Sequence, residues 1–262
     1  MTTSLSGKRA LVCGGSQGIG RACGLALAQA GASVTLLARN EETLRRAVAA
    51  LPAGDGRTHE YLVADSDDPP GLQRTVADRI ESHGAFEILI NNSGGPPSGP
   101  IVDASGEAFA AAIQRHVIGN QLLAQTVLPG MKTAGYGRIV NIISTSVVAP
   151  IAGLGVSNTT RGAVANWGRT WAAELAPLGI TVNNVLPGYT DTDRLGSLFD
   201  KKAQRLGTSS EQVRADTIAA IPMKRLADPA EIGAVVAFLA SPAASYVTGV
   251  NLPVDGGRTG IQ

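Results

Sequence analysis

Glycines recur at Gly14, Gly18 and Gly20 in the stretch Cys13-Gly14-Gly15-Ser16-Gln17-Gly18-Ile19-Gly20, which separates a short apolar run from a helical pattern. Residues without side chains permit a tight turn and let the backbone approach a pyrophosphate at the positive end of the helix that follows. Ser16, Gln17 and Ile19 complete the loop. A glycine cluster alone is often only a turn; a strand before it and a helix after it make it a candidate dinucleotide site. The end of the next apolar run decides which dinucleotide. An aspartate there would bind a ribose 2′-hydroxyl and repel a 2′-phosphate, whereas an arginine accepts the phosphate. The chain reads Leu36-Leu37-Ala38-Arg39-Asn40, so NADP(H) is favoured over NAD(H). The plainer reading of Arg39 is a solvated side chain at a helix start, paired with Glu41 or Glu42.

These residues need elements to carry them. Short apolar runs alternate with longer helical patterns, the signature of a parallel sheet covered on both faces. Strands are expected at 9–13, 33–37, 61–64, 86–91, 138–143, 180–185 and 250–254, and helices at 19–30, 41–51, 70–83, 107–134 and 159–176. Asp228-Pro229-Ala230-Glu231 adds a helix start, with an N-cap, a proline at the first position and a glutamate reaching back. The pattern implies an α/β, doubly wound Rossmann-type sheet of seven parallel strands, in one domain spanning 1–262. A long excursion at 193–228 interrupts the alternation and is the expected substrate lid.

Composition narrows the function classes. Hydrophobic residues make up 44% of the 262, and the formal net charge is +1, which gives no case for nucleic acid or a membrane surface. No apolar run approaches the roughly 18–20 residues of a membrane span, and the start of the chain lacks a signal-peptide pattern. Cys13 and Cys23 have no metal-ligand or redox spacing and read as buried thiols of a reducing compartment. No metal site is expected, and the cytoplasm is the expected location.

Further motifs fall in order along the chain. Gly137-Arg138-Ile139-Val140-Asn141-Ile142-Ile143-Ser144 resembles the central strand and active-site serine of the short-chain dehydrogenase/reductase family, and the resemblance covers nearly the whole chain. Ala64-Asp65-Ser66 is similar to the family's adenine contact. Asn91-Asn92-Ser93-Gly94 is similar to the turn bordering the cofactor ribose, which makes Asn92 and Gly94 expected cofactor neighbours. Pro187-Gly188-Tyr189-Thr190-Asp191-Thr192 resembles the segment that holds the nicotinamide amide, with Thr192 as the hydroxyl ligand. Val247-Thr248-Gly249 and Asp255-Gly256-Gly257 match the C-terminal signature. The resemblance also implies a homotetramer, with a dimer second, assembled through the helices at 107–134 and 159–176.

The family's catalytic asparagine, serine, tyrosine and lysine fall here on His116, Ser144, Ser157 and Arg161, and only the serine survives. Between Ser144 and Pro187 there is neither a tyrosine nor a lysine, so no shift of alignment restores the pair. A phenol's pKa, about 10, can be drawn toward neutrality by a cation, whereas a serine hydroxyl is a far weaker acid. Arg161 keeps the charge and can hold the cofactor, or can bind an anion bidentately, but cannot shed a proton. His116, titrating near neutrality, and Tyr189, just past a strand end, are candidate replacement donors. The plainer readings are a satisfied helix histidine and a packing tyrosine. Three classes of function stay open. They are NADP(H)-dependent oxidoreduction of a carbonyl or alcohol, NADP(H) binding without turnover by a sensor or partner subunit, and non-redox chemistry on an anion using Arg161 and His116.

Overall fold

Strand β1 (Arg9–Cys13) is buried along almost its whole length, because helices cover both of its faces. The computed structural model describes residues 2–54 and 56–260. Beside β1 lie β2 (Ser33–Ala38) and β4 (Ile88–Asn91), both parallel to it, and β3 (Glu60–Val63) lies outside β2. Beyond β4 follow β5 (Gly137–Ile142), β6 (Ile180–Pro187) and β7 (Asn251–Val254), giving a seven-stranded parallel sheet in the order β3-β2-β1-β4-β5-β6-β7. The chain winds outward from β1 in one direction and returns to start again at β4. The crevice beyond the carboxyl ends of these two neighbours is where open α/β sheets bind ligands. The single-domain, doubly wound fold read from the sequence is the fold found, and the strand positions agree to within two residues at each end.

Successive residues of a strand point to opposite faces, and two apolar cores follow from that. Ala10, Val12, Val34 and Leu36 pack on one face with Cys23 and Leu27 of helix α1 (Gly18–Gln29). Leu11, Cys13, Leu37, Leu89 and Ile139 pack on the other. Helix α2 (Glu41–Ala49) follows β2 and helix α3 (Pro69–His83) follows β3. Four strands also share a polar seam. Asn91 Nδ2 donates to Asn141 Oδ1, Asn141 Nδ2 to Asn184 Oδ1, and Asn184 Nδ2 to Asn251 Oδ1, each at 2.8 Å.

The stretch read as one helix over 107–134 is interrupted. Helix α4 (Gly106–Ile113) passes into a π turn (Gln114–Ile118) before helix α5 (Gly119–Ala134) continues. The extra residue of that turn rotates His116 inward, a distortion common at functional sites. Helix α6 (Gly155–Leu175) carries Ser157 and Arg161 on its buried side. The excursion forms helices α7 (Asp193–Leu206) and α8 (Ser210–Ala219), whose Leu195, Phe199 and Val213 make a small apolar core of their own with Ile221 and Leu226. Helix α9 (Pro229–Ala240) opens with the expected capping box, Glu231 Oε2 accepting from the Asp228 N–H at 2.8 Å. Among the described residues, no helix is long and apolar enough to cross a membrane.

Candidate active site

The glycine loop leaves β1 with φ +60° at Gly14 and +52° at Gly18. A β-carbon on Gly20 would overlap the Gly14 carbonyl, and one on Gly14 would stand 2.8 Å from the Asn92 carbonyl. Asn92 fastens the loop by donating from Nδ2 to the Cys13 carbonyl at 3.2 Å and to the Gly14 carbonyl at 3.4 Å. Gln17 stands at the N-cap of α1 and its side chain caps nothing, so the helix's first N–H groups face the groove. Tight glycines and uncapped donors fit a dinucleotide pyrophosphate. The groove, about 430 Å³, is lined by Gly14, Ser16, Gln17, Gly18, Ile19, Gly20, Arg39, Asn92, Gly94 and Thr192. Two sequence expectations change here. Arg39 pairs with neither Glu41 nor Glu42, which bind Arg45 and Arg46; its Nε lies 4.0 Å from Asp65 Oδ1. Asp65 itself does not line the groove, though Ala64 and Ser66 do, and its Oδ1 accepts from the Asp67 N–H at 2.9 Å.

A second cavity, about 190 Å³, opens from the groove and gathers Ser144, Ser157, Arg161, Pro187, Gly188, Tyr189 and Thr190, with Ile19, Asn92 and Thr192 shared between the two. Ser144 Oγ accepts from the Ser146 N–H at 3.0 Å, which leaves its own proton free for a ligand. The Ser157 hydroxyl has no hydrogen-bond partner among the described residues. Arg161 is buried and donates from Nη1 to the Ile142 carbonyl at 3.1 Å, so α6 is pinned to the end of β5. Burial, then the nearby Arg194 and Arg115, lower its pKa to about 10, which still leaves it charged at neutral pH. Tyr189 is half-buried with the Arg258 guanidinium 5.2 Å from its ring centre. Tyr136, the tyrosine nearest Ser144 in sequence, lies away from both cavities and donates to the Ala240 carbonyl at 2.5 Å.

His116 corrects a third expectation. It is 1% exposed, its Nδ1 lies 2.8 Å from Ser93 Oγ, and its Nε2 is buried without a partner. Burial first, then Arg161, Arg115 and Arg194, press its pKa down to about 2. Its imidazole is held neutral at physiological pH and it lines neither cavity, so the histidine expected as a replacement donor or base stands outside the walls of the site. The partner of this buried helix histidine is the Ser93 hydroxyl. Sequence reasoning missed Ser93, Arg194 and Arg258 as wall residues. Arg258 had a signal, since it directly follows Asp255-Gly256-Gly257.

A family model described as "Enoyl-(Acyl carrier protein) reductase" matches residues 14–259. "Dehydrogenase/reductase SDR family member 4" of Oryctolagus cuniculus is 32% identical over 254 residues, 97% of this chain and 94% of that one. The chain is a short-chain dehydrogenase/reductase. Similar solved structures superpose over nearly all of its length. An L-sorbose reductase from Gluconobacter frateurii, complexed with NADPH and L-sorbose, gives a TM-score of 0.92 at 29% identity, covering 100% of both chains. An NAD+-bound xylitol dehydrogenase gives 0.89 at 32% identity, covering 96% of this chain and 99% of that one. As a short-chain dehydrogenase/reductase, the chain is by family an NAD(P)-dependent oxidoreductase.

Proposed function

We propose that this chain is an NADP(H)-dependent oxidoreductase of a carbonyl or alcohol that works without the family's tyrosine and lysine. The observation that carries the reading is continuity. A groove with a glycine cradle and Arg39 at its far end opens directly into the cavity where the Ser144 proton is free. A nicotinamide dinucleotide held by the loop of Gly14, Gly18 and Gly20 supplies a hydride. Ser144 donates a hydrogen bond to the substrate oxygen, in a cavity whose walls also carry the positive charge of Arg161. Ser157 is too short and too weak an acid to complete the transfer. The proton comes from a water that the Ser157 hydroxyl holds, or from Tyr189, beside which Arg258 supplies a cation. Helices α7 and α8 act as the lid, since Leu195 and Leu198 of α7 close one wall of the inner cavity. Arg39 and the NADPH-bound sorbose reductase support NADP(H) over NAD(H), against the precedent of the NAD+-bound xylitol dehydrogenase.

A second reading, NADP(H) binding without turnover, is favoured by one observation, the burial of His116 outside the walls of both cavities, which removes a candidate proton donor from the site. Incubating the protein with NADPH and a panel of ketones and aldehydes separates the two. Consumption of NADPH that Ser144→Ala abolishes supports the oxidoreductase. Tight NADPH binding with no consumption on any substrate supports the second reading.

A further inference from the structure

Three arginines, Arg161, Arg194 and Arg258, line the inner cavity, and no aspartate or glutamate does. None of the three joins an ion pair among the described residues, whereas the neighbouring Arg115 is paired with Asp67. Arg161 is 8% exposed, and its bond to the Ile142 carbonyl occupies one of its five N–H donors. A buried guanidinium without a counter-charge is unfavourable, and a second cation beside it makes it more so. Arg161 Nη2 lies 3.5 Å from where a β-carbon of Gly95 would stand, and the Arg194 guanidinium crowds the same point. From another wall Arg258 is steadied by donation to Thr145 Oγ1 at 3.3 Å. The outer cavity, about 610 Å³, repeats the bias, with Lys201, Lys202 and Arg205 in its walls and no acid.

We propose that the substrate bears a carboxylate held by Arg161, Arg194 and Arg258, so that the site takes small oxo or hydroxy acids. The proposal rests on the oxidoreductase reading for calling this ligand a substrate; the anion site itself rests on the unpaired cations. A carboxylate matches the guanidinium fork bidentately. The surface between the two cavities is apolar, with Ile151, Leu154 and Leu198 in both walls, which suits a short aliphatic chain better than the hydroxyls of a sugar phosphate. Arg194 also borders the dinucleotide groove, so the competing role for these cations is to hold cofactor phosphates.

Calorimetry on the NADPH-saturated protein tests this with pyruvate, acetoacetate and levulinate, each beside its methyl ester, and with inorganic phosphate. At least one acid is expected to bind about tenfold or more tighter than its ester. Arg161→Gln and Arg258→Gln should erase that preference, and Arg161→Lys should restore part of it. Arg258 is half-buried, so its variant carries the test should Arg161→Gln not fold. Equal binding of acid and ester, no binding of any acid, or phosphate binding where carboxylates do not, would each overturn the proposal. So would weaker acid binding in the presence of NADPH, which would assign the arginines to the cofactor. Failure of NADPH itself to bind would sink the oxidoreductase reading alone. The same titration of the unloaded protein would then still decide on the anion.

Discussion

The Ser93 hydroxyl and the His116 imidazole meet at 2.8 Å, the serine leaving the turn after β4 and the histidine the π turn of the long helix. The imidazole's folded pKa of about 2 lies far below its ordinary 6.5. Between those values the unfolded chain holds a proton that the folded chain does not, so stability falls as pH drops below 6.5 toward 2. The slope is about 1.4 kcal/mol per pH unit for one proton. Denaturant melts of the native protein and His116→Asn, run from about pH 6 to about pH 4, should diverge by that slope. Parallel curves would mean that His116 titrates normally.

Arg39 and Asp65 are 4.0 Å apart with both side chains largely in solvent, so freeing Arg39 for a phosphate costs less than about 1 kcal/mol. NADPH should bind at least about tenfold more tightly than NADH, and Arg39→Asp should reverse the order. Equal affinities in the native protein would remove the basis of the NADP(H) assignment.

Ser157 and Arg161, which the sequence count from Ser144 assigns to the family's tyrosine and lysine positions, stand one turn apart on the buried side of α6. Restoring Ser157→Tyr together with Arg161→Lys should raise the rate on simple ketones by part of the roughly 10²–10⁴ contributed by a positioned general acid. Ser157→Tyr alone should help less. If the native protein is already fast and Tyr189→Phe slows it, the donor has moved to Tyr189.

Gly20 leaves no room for a side chain, because its β-carbon would meet the Gly14 carbonyl and stand 2.7 Å from Asn92 Nδ2. Gly20→Ala should abolish NADPH binding and cost about 1–3 kcal/mol in stability through overpacking. Retention of native NADPH affinity by the variant would contradict the loop geometry.

Gln121 Oε1 accepts from both the Trp167 indole at 2.7 Å and the Trp171 indole at 3.0 Å, tying α5 and α6 into one face. That face is expected to assemble the chain into a homotetramer, with a dimer second. Light scattering at micromolar concentration checks this, and a monomer would count against it.

Legibility followed the range of the interactions. The limits of β1 and the capping box of α9 were readable because the apolar period and the cap residues are local. The π turn at Gln114–Ile118 was not, since one extra residue per turn shifts the phase of a pattern without changing its composition. The loss of basicity at His116 comes first from burial and then from arginines at three places in the chain, Arg161, Arg115 and Arg194. Likewise Arg39 found its partner on Asp65, at the end of a neighbouring strand, rather than on the adjacent Glu41. The missing tyrosine and lysine were plain in the sequence, but the acid-free surroundings of Arg161 appear only when several loops converge.

The asparagine seam gives β4 to β7 a single permitted alignment. Asn91 faces Asn141, Asn141 faces Asn184, and Asn184 faces Asn251 in the strand registers themselves. A slip by one residue would turn a strand's side chains to the opposite face and strand amides among hydrocarbon on either side. The three side-chain bonds of the seam are complete only in the native register. Its amides all donate in the same direction, and the chain of bonds ends at Asn91 Oδ1, which has no partner. Exchanging Asn141 alone for leucine leaves the Asn91 amide with no side-chain partner and Asn184 Oδ1 without its donor, so a change at the middle of the row is felt by strands on both sides of it.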